Sequence, residues 1–155
     1  MSISVTSIPI LLLSEIVPEL TGAIKYHKCT DTYNQNFKEF NFDTIIMDKT
    51  VLLKTLIEHE VQNIVEKDNT ILCNYEDFYL EFYKTDEEKP YKLKISCCEQ
   101  KNIKEFINNI SSQYTINTQE ASYNKIKERL KEQNLEIEDE EVFEDNTIVL
   151  TVNLE

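Results

Sequence analysis

Residues 78–97 decide the fold, and they read FYLEFYKTDEEKPYKLKISC. On both sides of the polar stretch 85–90, apolar residues alternate with charged residues, tyrosines or serine. This alternation is typical of β-strands that bury one face. The segment therefore predicts two antiparallel strands, with Cys97 on the buried side of the second strand and Cys98 on the other side.

The residues before this pair predict a helix and a hairpin. Asp48 is a good N-cap for a short core helix over residues 49–60, and residues 61–67 and 70–73 are joined by the turn-forming pair Asp68-Asn69. Residues 44–47 are expected to form a brief strand, and residues 26–41 a loop. The buried face of the helix is predicted to contain Val51, Leu52, Leu53, Leu56 and Ile57.

The end of the chain predicts two helices and a hairpin. Apolar residues between Ile103 and Tyr114 have helical spacing and predict one helix. A second helix, capped by Asn117 or Thr118, is predicted to follow it. In the last segment the parity of the apolar positions changes between Ile137 and Val142, which predicts a β-bulge. The inner faces of the two helices are Ile103, Phe106, Ile107, Ile110 and Tyr114, and then Tyr123, Ile126 and Leu130.

Together these elements predict a single α+β domain spanning residues 1–155. We expect one antiparallel sheet of about five to seven strands, with two or three helices packed on one face. Residues 42–155 would form the core, and residues 1–41 an N-terminal extension or extra elements.

Composition excludes several function classes. One glycine in 155 residues is too few for the glycine-rich loops that hold phosphates or dinucleotides. A formal charge of −13 disfavours direct nucleic-acid binding, because phosphate contacts need clustered Lys and Arg. The apolar run 8–13 lacks the basic residues of a signal peptide and is far shorter than the roughly 20 residues of a membrane span. We therefore predict a cytoplasmic protein without membrane contact, with reduced thiols.

The sequence offers no catalytic set. The histidines, His27 and His59, do not form a metal-binding pattern, and His59 is better explained as a cation at a helix C-terminus. The acidic run 136–145 lacks the ligand spacing and the glycine of a calcium loop. We predict no catalytic residue, cofactor or metal ligand, and hence no enzyme.

Two surfaces are candidates for binding a partner. The first is an acidic strand, on which we expect Glu136, Glu138 and Glu140 to alternate along one side, followed by Glu141. This strand could contact Lys or Arg of another protein. Tyr79 and Tyr83 lie on the strand face opposite Phe78, Leu80 and Phe82. The two tyrosines are either exposed, which favours an interface, or covered by the N-terminal extension.

Several short stretches carry a resemblance to a known family. They are KEFIN (104–108), QY (113–114), YNKIK (123–127), LKEQN (130–134) and EEVFEDNTI (140–148). Through these, residues 102–152 resemble the small plastid and bacterial proteins catalogued as conserved chloroplast reading frame thirty-five, a domain of unknown function, and residues 48–57 resemble it more faintly. The chain departs from that family at Asn134 and Asn146, where glycine is usual, and lacks the family's Arg-rich tail.

The resemblance implies a role but no chemistry. Family members are often encoded beside an AAA-type ATPase, which implies an accessory or adaptor protein. We therefore expect a non-enzymatic protein that binds another protein, one with a basic surface. The alternative is an acidic inhibitor, such as an anti-defence, immunity or nucleic-acid-mimic protein, that blocks a nucleic-acid-binding enzyme.

Overall fold

The computed structural model describes the backbone of residues 2–6, 25–28, 36–97, 102–145 and 147–153, and the side chains of residues 38–97, 102–145 and 147–153. Within these ranges the chain forms nine strands and two helices. In chain order they are β1 (Ser2–Thr6), β2 (Lys25–Lys28), β3 (Asn36–Asp43), α1 (Lys49–Glu58), β4 (Gln62–Lys67), β5 (Thr70–Tyr75), β6 (Phe78–Tyr83), β7 (Lys92–Cys97), α2 (Ile103–Glu132), β8 (Glu136–Val142) and β9 (Ile148–Asn153).

Six of the strands form an antiparallel main sheet in the order β2-β3-β7-β6-β5-β4. Its inner face packs against α1 and the first half of α2, as the alternation of β6 and β7 requires. Leu52, Phe82 and Ile95 have no exposed surface and belong to one apolar cluster. The α+β class, the β4–β5 hairpin and the β6–β7 pair are therefore confirmed. Cys97 is buried as predicted, and Cys98 lies outside the described residues.

Two predictions upstream of α1 are wrong. Residues 26–41 were expected to form a loop, but β2 and β3 occupy much of that range. The pairing of β3 with β7 stabilises β3. Among the described side chains of β3, from residue 38 onward, Phe40 and Phe42 are the two that are buried. Residues 44–47 are not a strand, because the hydrogen bonds of their backbone groups are not the paired bonds that join neighbouring strands of a sheet. Tyr91 N–H donates to the Ile46 carbonyl at 2.7 Å.

Helix α1 begins where its cap was predicted. The Asp48 carboxylate accepts a hydrogen bond from Val51 N–H at 3.0 Å, which satisfies one of the free donors of the first turn. The Tyr114 hydroxyl of α2 accepts from Met47 N–H and Asp48 N–H, both at 3.0 Å. Ile57, expected on the buried face, is 66% exposed, because it points away from both the sheet and α2.

The prediction of two C-terminal helices is also wrong, since α2 runs unbroken for 30 residues. Thr118, a predicted cap, donates its hydroxyl proton to the Tyr114 carbonyl one turn earlier, at 2.8 Å. Asn117, the other candidate, is only 3% exposed and directs its amide at α1. Both side chains are satisfied without ending the helix, so neither acts as a cap.

The terminal hairpin lies in a second sheet, which corrects the prediction of a single sheet. This sheet has the order β1-β9-β8, and Leu150 and Val152 of β9 are buried in it. A 30-residue helix is about 45 Å long, so α2 carries the chain beyond the main sheet. There β9 pairs with β1 rather than with a strand of the main sheet.

Candidate interaction surfaces

The most acidic part of the chain is residues 136–145, here called the acidic arm. It comprises β8 and the start of the turn to β9, and it contains seven Asp and Glu residues and no Lys or Arg. All seven of these acidic residues are exposed. The arm therefore presents a concentrated negative surface at the edge of the second sheet.

A bulge decides which carboxylates share a face. The pairing of β8 with β9 shifts between Ile137 and Asp139, so Glu138 is the extra residue. This confirms a bulge in β8, but it also breaks the alternation expected for the acidic residues. By register, Glu136 and Glu141 share a face with Asp139, whereas Glu140 shares the opposite face with Ile137 and Val142. The expectation of Glu136, Glu138 and Glu140 on one side is therefore wrong.

Glu140 is tied to α2. The Tyr123 hydroxyl donates to the Glu140 carboxylate at 2.6 Å, and the Lys127 ammonium donates to the same hydroxyl at 3.0 Å. The ammonium also lies 4.8 Å from the centre of the Tyr123 ring. The hydrogen bond with Tyr123 raises the pKa of Lys127, since it stabilises the charged form. These contacts join β8 to α2 through the Glu140 side chain.

The structure adds two apolar residues that the sequence did not mark as functional. Val142 is 64% exposed and Phe143 is 50% exposed, at the end of β8 and beside Glu141 and Glu144. From periodicity alone, an apolar residue in or next to a strand is expected to be buried. The sequence therefore did not indicate that Val142 and Phe143 are exposed. An exposed aromatic with charged neighbours is typical of interface anchors.

The turn after the arm is well defined at its described positions. Thr147 N–H donates to the Asp145 carboxylate at 3.0 Å, and this bond lowers the pKa of Asp145. Phe143 N–H donates to the Thr147 carbonyl at 2.9 Å. The backbone around Phe143 is therefore held in place while its side chain is half exposed.

The second candidate surface is the outer face of the main sheet, opposite the helices. Tyr79 is 55% exposed there and Tyr83 is partly buried. Phe78, Leu80 and Phe82 face the core, as the alternation predicted. This face also contains a shallow open depression of about 330 Å³ beside Tyr79. Whether Tyr79, Tyr83 or the acidic residues bind a partner stays a prediction.

Other reactive groups are dispersed. His59 follows α1 and is half-buried, and its Nε2 atom has no hydrogen-bond partner among the described residues. Burial raises the pKa of the Cys73 thiol to about 12, and a protonated thiol is a poor nucleophile. Among the described side chains, no group of three or more His, Cys, Asp or Glu could hold a metal ion. His27 lies in β2, but its side chain is not among those described.

No protein-family profile, curated protein or solved structure matches this chain. The resemblance to the chloroplast reading-frame family thus stays a prediction. No helix in the described ranges is both long and apolar enough to cross a membrane.

Proposed function

We propose that this chain is a non-enzymatic accessory protein that binds another protein through the acidic arm. The single observation that carries the proposal is the exposure of Phe143 and Val142 beside the carboxylates of β8. In protein interfaces an aromatic anchor supplies affinity, while surrounding charges supply orientation and association rate. The partner would therefore carry an apolar pocket bordered by Lys or Arg. The family resemblance suggests an AAA-type ATPase as one such partner.

The architecture supports this use of the arm. Lys127 and Tyr123 hold Glu140 against α2, and the Asp145 carboxylate orders the turn. A preorganised surface loses less conformational entropy on binding than a mobile one. Glu136, Asp139 and Glu141 lie on the other face of β8 and are exposed.

The test is purification of the tagged full chain from its native cell, with identification of co-purifying proteins by mass spectrometry. Phe143→Ala should weaken capture of the partner by about tenfold, as expected for loss of an aromatic anchor. The double variant Glu136→Lys/Glu141→Lys should weaken it as well. The matched control Glu87→Lys/Glu88→Lys has the same change in net charge in an exposed loop, and it should retain the partner.

Two results would contradict the proposal: no reproducible partner, or equal loss of the partner in the arm variants and the loop control. The second would mean that net charge alone, and not the arm, governs the association.

A second candidate is an inhibitor that occupies a nucleic-acid-binding site. The observation in its favour is that β8 exposes carboxylates on both of its faces. In that case DNA or RNA would displace this chain from the captured partner. The variant Glu136→Lys/Glu141→Lys would compete less well with the nucleic acid for the partner's binding site. An accessory protein that binds elsewhere would be unaffected by nucleic acid.

A further inference from the structure

Strand β4 lies at an edge of the main sheet, and among the described strands it pairs with β5 alone. The two-residue turn Asp68-Asn69 leaves Lys67 hydrogen-bonded to β5. Successive residues of an antiparallel strand bond alternately to one side and to the other. Val65 therefore also bonds to β5, whereas Glu66 and Ile64 direct their backbone N–H and carbonyl groups away from the sheet. Another strand could pair with these groups.

Helix α1 borders this edge on the inner side of the sheet. The Lys49 ammonium lies 2.5 Å from the Glu66 carboxylate, so the side of α1 that contains Lys49 faces β4. Leu53 and Ile57 follow on the same side at steps of four residues, whereas Glu58 bonds to α2. Leu53 packs against the core and is partly buried, and Ile57 is 66% exposed. An apolar strip therefore runs along α1 beside the open edge.

The outer side of the edge is apolar as well. Val65 is in register with Leu72 of β5 on the face opposite the helices, and it is 47% exposed. Open edges in natural proteins often carry charges that prevent pairing with another strand. The charged residues of β4 are Glu66 and Lys67, so the strand has no net charge and does not repel a second strand of the same kind.

The spacing of the outward groups fits a second copy of the same chain. A two-fold axis through Val65 places Ile64 of each copy opposite Glu66 of the other, with two hydrogen bonds in each of these pairs. Val65 then faces Val65 of the second copy, in the position where side chains on neighbouring strands approach most closely. Lys67 falls opposite Asn63, so no like charges are directly opposite.

We propose that two copies of this chain associate through β4 and join their main sheets into one continuous antiparallel sheet. The contact covers Val65 on the outer face, and on the inner face it brings the Leu53 and Ile57 sides of the two α1 helices together. Strand β8 is a poor edge for self-pairing, because five of its seven residues are acidic. The inference is independent of the proposed function, since the acidic arm belongs to the second sheet.

The test is sedimentation velocity of the purified full chain over a range of concentrations. A reversible equilibrium between monomer and dimer is expected, with a Kd on the order of 10 μM for an interface of modest size. Each copy carries a formal charge of −13, so the two copies repel each other at long range. The Kd should therefore fall as NaCl is raised from about 0.05 M to about 0.5 M, because salt screens this repulsion.

Variants of the edge locate the interface. Glu66→Pro removes an N–H that points away from β5, so the β4–β5 pairing should remain, while the Kd should rise at least about tenfold. Its control is Glu66→Gln, which loses the ion pair with Lys49 but keeps the N–H, and it should leave the Kd within about threefold. Val65→Lys places like charges together at the two-fold axis and should also raise the Kd at least about tenfold. Ile116→Lys makes a similar change at an exposed residue of α2 and should leave the Kd unchanged.

A cross-link tests the register. Val65→Cys places the two introduced cysteines opposite each other, with Cα atoms about 4.5 Å apart, which is within the range for a disulfide. Lys67→Cys is the matched control, because its two copies would be roughly 14 Å apart along the paired strands. After oxidation with diamide, mass spectrometry should detect a peptide linked through position 65 and none linked through position 67.

Three results would overturn the inference. They are a monomer at concentrations up to about 1 mM, a dimer whose Kd neither Glu66→Pro nor Val65→Lys changes, and equal cross-linking through positions 65 and 67. The second would place the contact on another surface. Because these experiments use this chain alone, their failure is distinct from failure to capture a partner through the acidic arm.

Discussion

The side-chain amide of Asn117 in α2 donates a hydrogen bond to the Glu58 carboxylate in α1 at 2.7 Å. The same amide lies 3.0 Å from the Thr55 hydroxyl, which in turn donates to the Val51 carbonyl at 2.8 Å. Asn117 and Thr55 are both buried. A chain of polar contacts therefore joins the two helices, from the buried Thr55 to the exposed Glu58, at the point where the sequence predicted a break between two helices.

The first prediction concerns this contact. Asn117→Ala should lower the free energy of unfolding by about 1–3 kcal/mol, because the buried Thr55 hydroxyl and the partly exposed Glu58 carboxylate both lose their donor. Alanine is also the better helix former, by up to about 0.7 kcal/mol. Asn124→Ala is the matched control, since Asn124 is exposed on the same helix and gives the propensity gain alone. Urea titrations followed by circular dichroism would measure both, and equal midpoints for the two variants would contradict the assigned role.

The local features of the fold could be predicted, and the non-local ones could not. Alternation at β6 and β7, the Asp48 cap and the Asp68-Asn69 turn all rest on residues close in sequence. Asn117 lies within α2 and its side chain bonds to Glu58, 59 positions away, instead of capping a helix. The place of the terminal hairpin depends on β1, at the opposite end of the chain. Neither Glu58 nor β1 can be identified from the sequence of the segment that it contacts.

The features of the candidate surfaces also divide into those that the sequence predicts and those that it does not. The negative charge of β8 was evident from composition, and the orientation of Tyr79 from alternation. The bulge at Glu138 reassigns the carboxylates to faces, and only the pairing with β9 locates it. The exposure of Phe143 and the depression beside Tyr79 depend on which elements pack against one another. The sequence of a single segment does not indicate that packing.

The second prediction is a pH dependence of the turn after β8. Because the pKa of Asp145 is lowered in the folded chain, its bond to Thr147 stabilises the turn above the ordinary pKa of about 3.9. That contribution is lost as the pH falls through the lower, folded-state pKa. NMR titration of the Asp145 carboxyl should give a lower midpoint in the folded chain than in urea. Equal midpoints, or an unchanged Thr147 amide shift at low pH, would contradict this.

The third prediction concerns thiol reactivity. With a pKa of about 12, Cys73 would be ionised to about one part in ten thousand at pH 8, and only the thiolate reacts. Iodoacetamide should therefore leave the Cys73 peptide unmodified in the native chain and label it fully in urea, as read by mass spectrometry. Equal labelling rates in the two conditions would mean that the β5 core opens readily.

The last prediction tests whether the two sheets form one domain. The second sheet has three strands, the smallest number for which independent stability is expected. We expect α2 to couple it to the main sheet, because α2 is anchored in the main sheet's core by Ile103, Phe106 and Ile110. Leu150 of β9 has no exposed surface, so Leu150→Ala should lower the free energy of unfolding by about 2–5 kcal/mol.

In a single cooperative unit that loss appears in one transition. A change in the core between α1 and the main sheet, such as Leu52→Ala in α1, then shifts the same transition. Hydrogen exchange gives the sharper readout. If Leu150→Ala accelerates exchange only in β8 and β9, while amides of β5–β7 keep their protection, the second sheet unfolds independently. That outcome would divide the chain into two folding units and contradict the single domain predicted from its length.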